Sequence, residues 1–197
     1  MDNILLAKGT LIFLSFKVNS IGPVSETFLP GRKVSEIGPI EFLKNEKNIK
    51  VPLASKILSL EGTVMVFFGE DFITVKKEKN LKWEDIKHGI ISEINHYYLE
   101  GNDVVVKKNL TKSISDSKPN GPNKTINKIN EILDTKIRPA VAKDGGDITF
   151  KSFKNGVVTV ELKGSCSGCP SSIMTLKQGV QNLLCHYISE VKSVEAV

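Results

Sequence analysis

The sequence predicts an α+β protein of two small domains joined by a flexible linker, the C-terminal one ordered α-β-β-α-β. Three observations carry that prediction. Both halves of the 197-residue chain set short apolar runs beside longer stretches whose apolar residues recur every three or four positions. The polar stretch 108–122 closes on Lys118-Pro119-Asn120-Gly121-Pro122, which continues neither a helix nor a central strand. An apolar share of 40% beside 25% charged residues suits a folded chain, not a disordered one. The domains are expected at 1–100 and 124–197, with 101–123 as linker. Within 101–123 the run Val104-Val105-Val106 breaks the polarity and reads as a short terminal strand.

In the first half, 26–29 (Glu-Thr-Phe-Leu) is a strand ended by Pro30-Gly31. Residues 52–60 open with Pro, tolerated at a helix start because its missing N–H would be unpaired there anyway. Leu53, Ile57 and Leu60 then share one helical face, and Glu61-Gly62 stops the helix. Strands follow at 63–68 and 72–77, joined tightly through Gly69-Glu70-Asp71. Residues 83–98 form a helix with Ile86, Ile90, Ile94 and Tyr97 on one stripe. His88 and His96 flank that stripe and read as solvated surface residues.

In the second half, a helix is expected from Thr125 to about Val141, with Ile126, Ile129, Leu133 and Ile137 on its stripe and Pro139 kinking or ending it. Asp144-Gly145-Gly146-Asp147 is a turn. Strands at 148–153 and 157–162 flank the hairpin signal Lys154-Asn155-Gly156. After a cysteine-bearing loop at 164–170, a helix runs from Ser171 to about Ser189. Its buried face is Ile173, Leu176, Val180, Leu184 and Tyr187, and a last strand closes the chain at 191–197. This is a small sheet with its helices on one side.

Several function classes are argued against. Apolar runs such as 11–14 are far short of the roughly 20 residues a spanning helix needs, so no membrane partner is expected. No convincing signal peptide opens the chain, and residues 1–31 hold no Arg, unlike an Arg-rich mitochondrial presequence. The expected compartment is the cytoplasm, with the mitochondrial matrix as the alternative. The net charge of +5 is scattered, with thirteen basic and thirteen acidic side chains in 1–100. No concentrated basic face interleaved with aromatics is present, which argues against nucleic acid as a partner.

The three cysteines carry the chemistry. Cys166 and Cys169 form a C-x-x-C, and Cys185 follows sixteen residues later. An odd number without a secretion signal argues against a disulfide framework. Gly164 and Gly168 let the loop turn so that both sulfurs face one way, and the positive end of the following helix favours thiolate. Two thiolates fill half of a tetrahedral zinc or iron–sulfur site. Cys185 and His186 lie roughly 20 Å away along that helix and cannot complete it. A second copy of the chain, giving its own Cys166 and Cys169, is the simplest completion. The spacing alone leaves open a cluster, a zinc site, a dithiol–disulfide oxidoreductase and an inert pair. Against the oxidoreductase, a thioredoxin-like motif belongs beside a β-α-β unit, and the predicted strand order does not place one there.

Gly145-Gly146-Asp147, the run Glu161 to Gly164, then Cys166-Ser167-Gly168-Cys169-Pro170-Ser171-Ser172 and Thr175-Leu176-Lys177 with Gly179-Val180 resemble the C-terminal domain of the Nfu/NifU-type iron–sulfur scaffold family. Phe28-Leu29-Pro30-Gly31, Pro52-Leu53-Ala54, Val66-Phe67-Phe68-Gly69, Asp71 to Val75 and Trp83 resemble that family's N-terminal domain. The resemblance covers about 24–98 and 124–197, and residues 1–20 match nothing in it. It implies a carrier and not an enzyme. Cys166 and Cys169 would hold a [4Fe–4S] cluster bridged between two protomers, with [2Fe–2S] left open as the form. The implied partners are upstream cluster-assembly proteins, apo iron–sulfur client proteins, and a second copy on cluster binding. The segment 144–147 is either a turn alone or a support for the cluster loop through backbone donors.

Overall fold

A computed structural model describes residues 4–7, 10–13, 17–47, 49–102, 104–106, 124–167 and 170–197, with the backbone alone at 4–7, 10–13 and 170–172. The fold is α+β, in two compact units, Met1–Ile114 and Ser115–Val197, each with its own core. The expected linker at 108–122 lies outside the described residues. Among the described residues, no helix is long and apolar enough to cross a membrane.

The first unit begins with two paired strands, β1 (Ile4–Ala7) and β2 (Thr10–Phe13). Its main sheet is antiparallel throughout. It holds β3 (Lys17–Ser20), β4 (Ser25–Leu29), β5 (Ile40–Leu43), β6 (Thr63–Phe68) and β7 (Ile73–Lys77) in the order β3-β4-β7-β6-β5. Alternation along the strands sends Phe28, Val66, Phe68, Ile73 and Val75 into one core. That core packs against α1 (Pro52–Ser59) and α2 (Trp83–Leu99). Pro52 sits in the first turn of α1, and Gly62, at φ +75°, lets the chain reverse into β6. Strands β3 and β5 go beyond the sequence reading: each is only four residues long, and β5 follows a turn-rich stretch that hides its alternation. Val105 and Val106 are buried in this same core, and Val106 bridges Ser35, so the first unit's packing runs past residue 100. His88 and His96 are exposed, and His96 Nε2 lies 3.1 Å from Glu100.

The second unit opens with one continuous helical run. Its parts are α3 (Lys124–Ile132), a π turn (Leu133–Ile137) and α4 (Arg138–Lys143). Pro139 therefore does not end the helix, and of the two outcomes expected for it the irregularity falls just upstream, as the π turn. Proline lacks an N–H, and its ring presses on the carbonyl four residues earlier. The wider π turn just upstream absorbs both defects, with the Arg138 N–H donating five residues back to the Leu133 carbonyl. Ile129, Ile132 and Leu133 are buried at i, i+3 and i+4 as on a regular helical stripe, and Ile137 rejoins the core beyond the π turn.

Strands β8 (Gly146–Lys154) and β9 (Val157–Gly164) form an antiparallel hairpin. Its turn places Asn155 at φ 52° and Gly156 at φ 86°, the left-handed pair a two-residue hairpin demands. Helix α5 (Pro170–Tyr187) then crosses over, and β10 (Ser193–Ala196) joins β9 in parallel, giving the order β10-β9-β8. The unit therefore contains a β-α-β crossover, β9-α5-β10, with the cysteine loop at its strand-to-helix junction. This removes the strand-order objection to a thiol-redox site. Tyr187 is also corrected. It is 41% exposed, with Lys136 Nζ 5.1 Å from its ring centre, and Ile188 takes its expected place in the core.

Candidate metal centre

The antiparallel pairing of β8 and β9 builds the site. Gly146 stands opposite Gly164, so residues 144–146 and 164–166 meet where the hairpin ends. Gly164 adopts φ +70°, a turn conformation favouring glycine, and the chain leaves the sheet there. Ser167 folds back on Gly164, its N–H and its hydroxyl both donating to the Gly164 carbonyl at 3.2 and 2.8 Å. Ser165 turns the other way. Its N–H donates to the Gly145 carbonyl at 3.2 Å, and its hydroxyl donates to the Asp144 carbonyl. The 144–147 segment thus supports the loop with carbonyl acceptors, where the sequence reading offered backbone donors. Gly145 is a turn residue at φ +69°, whereas Gly146 already belongs to β8.

Cys166 is buried, with 9% exposure, and joins the edge of the second core. Its Sγ occupies the space a side chain at position 146 would need: a Cβ there would stand 2.8 Å from Sγ and 2.7 Å from the Lys163 carbonyl. Cys169 and Gly168 lie outside the described residues. Burial pushes the Cys166 thiol up. The Ser165 hydrogen bond works against that rise, while the charges of Asp144 and Asp147 add to it. Burial and these two charges act on Cys166 in the sense opposite to the helix end, which favours thiolate. A catalytic dithiol needs a depressed thiol pKa, so Cys166 suits a ligand that surrenders its proton on binding metal better than a resting nucleophile.

Behind the loop stands a polar anchor that the sequence reading missed. Arg138 Nε donates to the Ile148 carbonyl at 3.0 Å and lies 3.2 Å from Asp147 Oδ1, and its Nη1 donates to Asp134 at 2.8 Å. Burial raises the Asp147 carboxyl despite the opposing Arg138 charge, the Ile148 amide and Lys163. Its Oδ2 is buried with no hydrogen-bond partner. Glycine doublets and an Arg near a proline are weak sequence signals, and only the strand register makes these residues neighbours.

Cys185 sits half-buried against the core, and His186 is exposed with its ring 5.0 Å from that of Tyr187. Among the described residues, no group of three or more His, Cys, Asp and Glu gathers as a metal site.

Two family models match this chain. "Scaffold protein Nfu/NifU N terminal" covers residues 22–101, and "NifU-like domain" covers residues 129–195. NifU-like protein 4, mitochondrial, of Arabidopsis thaliana is 40% identical over 88% of this chain and 62% of its own length. The human NFU1 iron-sulfur cluster scaffold homolog, mitochondrial, is 40% identical over 89% of this chain and 68% of its own. The chain spans about two thirds of the length of such relatives. Among solved structures, the NifU-like protein from Saccharomyces cerevisiae superposes on 48% of this chain and 86% of its own. At a TM-score of 0.43 and 22% identity, that likeness adds nothing to the argument. With both family models in sequence order and 40% identity to a scaffold protein along most of the chain, this protein belongs to the Nfu/NifU-like iron–sulfur cluster scaffold family.

Proposed function

We propose that this chain carries an iron–sulfur cluster on Cys166 and Cys169 and passes it to apo-proteins, acting as a carrier and not as a catalyst. The observation that supports this reading best is the setting of Cys166. Its sulfur is packed against Gly146 at a strand-to-helix loop, in a chain whose relatives are named scaffolds. Two thiolates are half of the four-ligand set that a cluster takes. The other half comes from a second copy, so cluster binding and dimerisation are one event. We assign the cluster as [4Fe–4S]. Release follows by exchange of these thiolates for those of a client, with upstream assembly proteins as the source. The N-terminal domain serves as a recognition module. The relatives' names say mitochondrial, which favours a mitochondrial compartment over the cytoplasm, and we take it to be the matrix.

Anaerobic reconstitution with ferrous iron and sulfide, followed by native mass spectrometry, tests the proposal. The expected species is two chains with four iron and four sulfide. Cys166→Ala and Cys169→Ala are each expected to abolish it and to leave the circular dichroism of the apo protein unchanged. A wild-type monomer that takes no iron, or that binds one zinc in preference, overturns the proposal.

A further inference from the structure

The hydroxyl of Ser165 has two acceptors within reach and one proton to give. It donates to the Asp144 carbonyl, while its Oγ lies 3.7 Å from Cys166 Sγ. As long as Cys166 carries its own proton, the thiol can donate to Oγ, and the hydroxyl proton is left for Asp144. Metal binding changes this arrangement. As the S–Fe bond forms, the S–H proton leaves to water, and the sulfur becomes an acceptor with negative charge. The Oγ then loses a donor and gains a strong acceptor beside it. Ser165 can turn its O–H toward that sulfur with no proton transferred, and its N–H remains bonded to the Gly145 carbonyl at 3.2 Å, so the residue need not move.

We propose that Ser165 is a positioning residue for the bound cluster, turning its hydroxyl from the Asp144 carbonyl to the Cys166 sulfur when Cys166 is bound to iron. This rests on the carrier reading above and goes beyond it. It assigns a role to a residue outside the C-x-x-C, and it makes the state of the 144–146 turn depend on loading. Two consequences follow. The loaded site gains a hydrogen bond to a ligand sulfur, which stabilises the more negative, reduced cluster. The Asp144 carbonyl loses its Ser165 donor, so the turn that props the loop loosens when the cluster is seated.

The test uses the full chain, reconstituted as wild type, Ser165→Ala and Ser165→Thr. Relative to wild type, Ser165→Ala is expected to shift the cluster reduction potential to a more negative value. It is also expected to reduce the shift that D₂O causes in the Fe–S(Cys) stretching bands. Ser165→Thr keeps a hydroxyl and is expected to restore both. A potential and a D₂O response unchanged in Ser165→Ala, or a Thr variant that behaves as Ala, overturns the proposal. If Ser165→Ala assembles no cluster, wild type and Ser165→Thr decide: D₂O-sensitive bands in both support the role, and insensitive bands in either overturn it. Failure of the wild type itself to take a cluster refutes the carrier reading instead, so the two failures are told apart.

Discussion

At the scale of single residues, the second unit holds two glycines that sequence alone treats alike and the structure separates. A Cβ at Gly146 would press on Cys166 Sγ and on the Lys163 backbone, whereas a Cβ at Gly179, on the exposed side of α5, would meet nothing within 4 Å. Gly146→Ala is therefore expected to destabilise the apo protein by about 1–3 kcal/mol, as overpacking does, and to lower the iron bound per chain by displacing the thiol. Gly179→Ala is expected to stabilise it by about 0.5–1 kcal/mol, since glycine inside a helix costs that much relative to alanine. Urea unfolding of the apo forms and iron content after reconstitution decide. Equal effects at the two positions would mean that Cys166 does not rest on Gly146. The turn at Gly164 that leads into the cysteine loop was legible in the sequence because turn chemistry is local. The seat at Gly146 and the Ser165 bonds were not, because they exist only once β8 and β9 pair in one register.

At the scale of elements, the helix that opens the second unit shows what periodicity misses. Its apolar stripe placed the helix correctly, but a π turn lies outside a 3.6-residue template, and with it Arg138 reaches the edge of β8. Tyr187 was assigned to the core by the same template, yet the core position belongs to Ile188 at the helix end. Arg138 joins the helix to the sheet through Asp134, Asp147 and the Ile148 carbonyl, so Arg138→Ala is expected to cost about 1–3 kcal/mol. Lysine lacks the planar fork, and Arg138→Lys should recover only part of it. The cost has a predictable pH dependence. Burial holds the Asp147 carboxyl above its ordinary value, so the unfolded chain releases that proton first as pH rises. The contribution of this group to stability is present in acid and is lost as pH rises through the folded value. Without Arg138 the carboxyl rises further, so the deficit of Arg138→Ala is expected to be largest at neutral pH and to shrink toward the ordinary aspartate value of 3.8. Thermal melts of both proteins across that range check it, and a deficit that grows in acid would contradict the assignment.

At the scale of the whole molecule, the chain divides into two units, each with its own core. The polarity of 108–122 made that division legible, while the burial of Val105 and Val106 extends the first core further along the chain than composition suggested. We propose that each core folds by itself, as fragments 1–106 and 124–197. Trp83 is the single tryptophan, so its emission reports the first unit alone. The same unit holds Tyr98, whose hydroxyl is pushed up to about 12 by burial, with Tyr97 adding to the rise and Arg32 opposing it. A folded pKa above the unfolded value of 10 means the stability it contributes is present below pH 10 and is lost as pH rises toward 12. The Trp83 melting temperature should therefore fall across that window in the full chain and in fragment 1–106 alike. Fragment 124–197, with both cysteines of the proposed site and no tryptophan, should melt cooperatively by circular dichroism and take iron and sulfide in the same ratio per chain as the full protein. A 124–197 fragment that folds yet takes no iron would move part of the site into the first unit. One that takes the full complement would place the whole of the proposed site in the second unit and leave the first unit for the recognition role proposed for it.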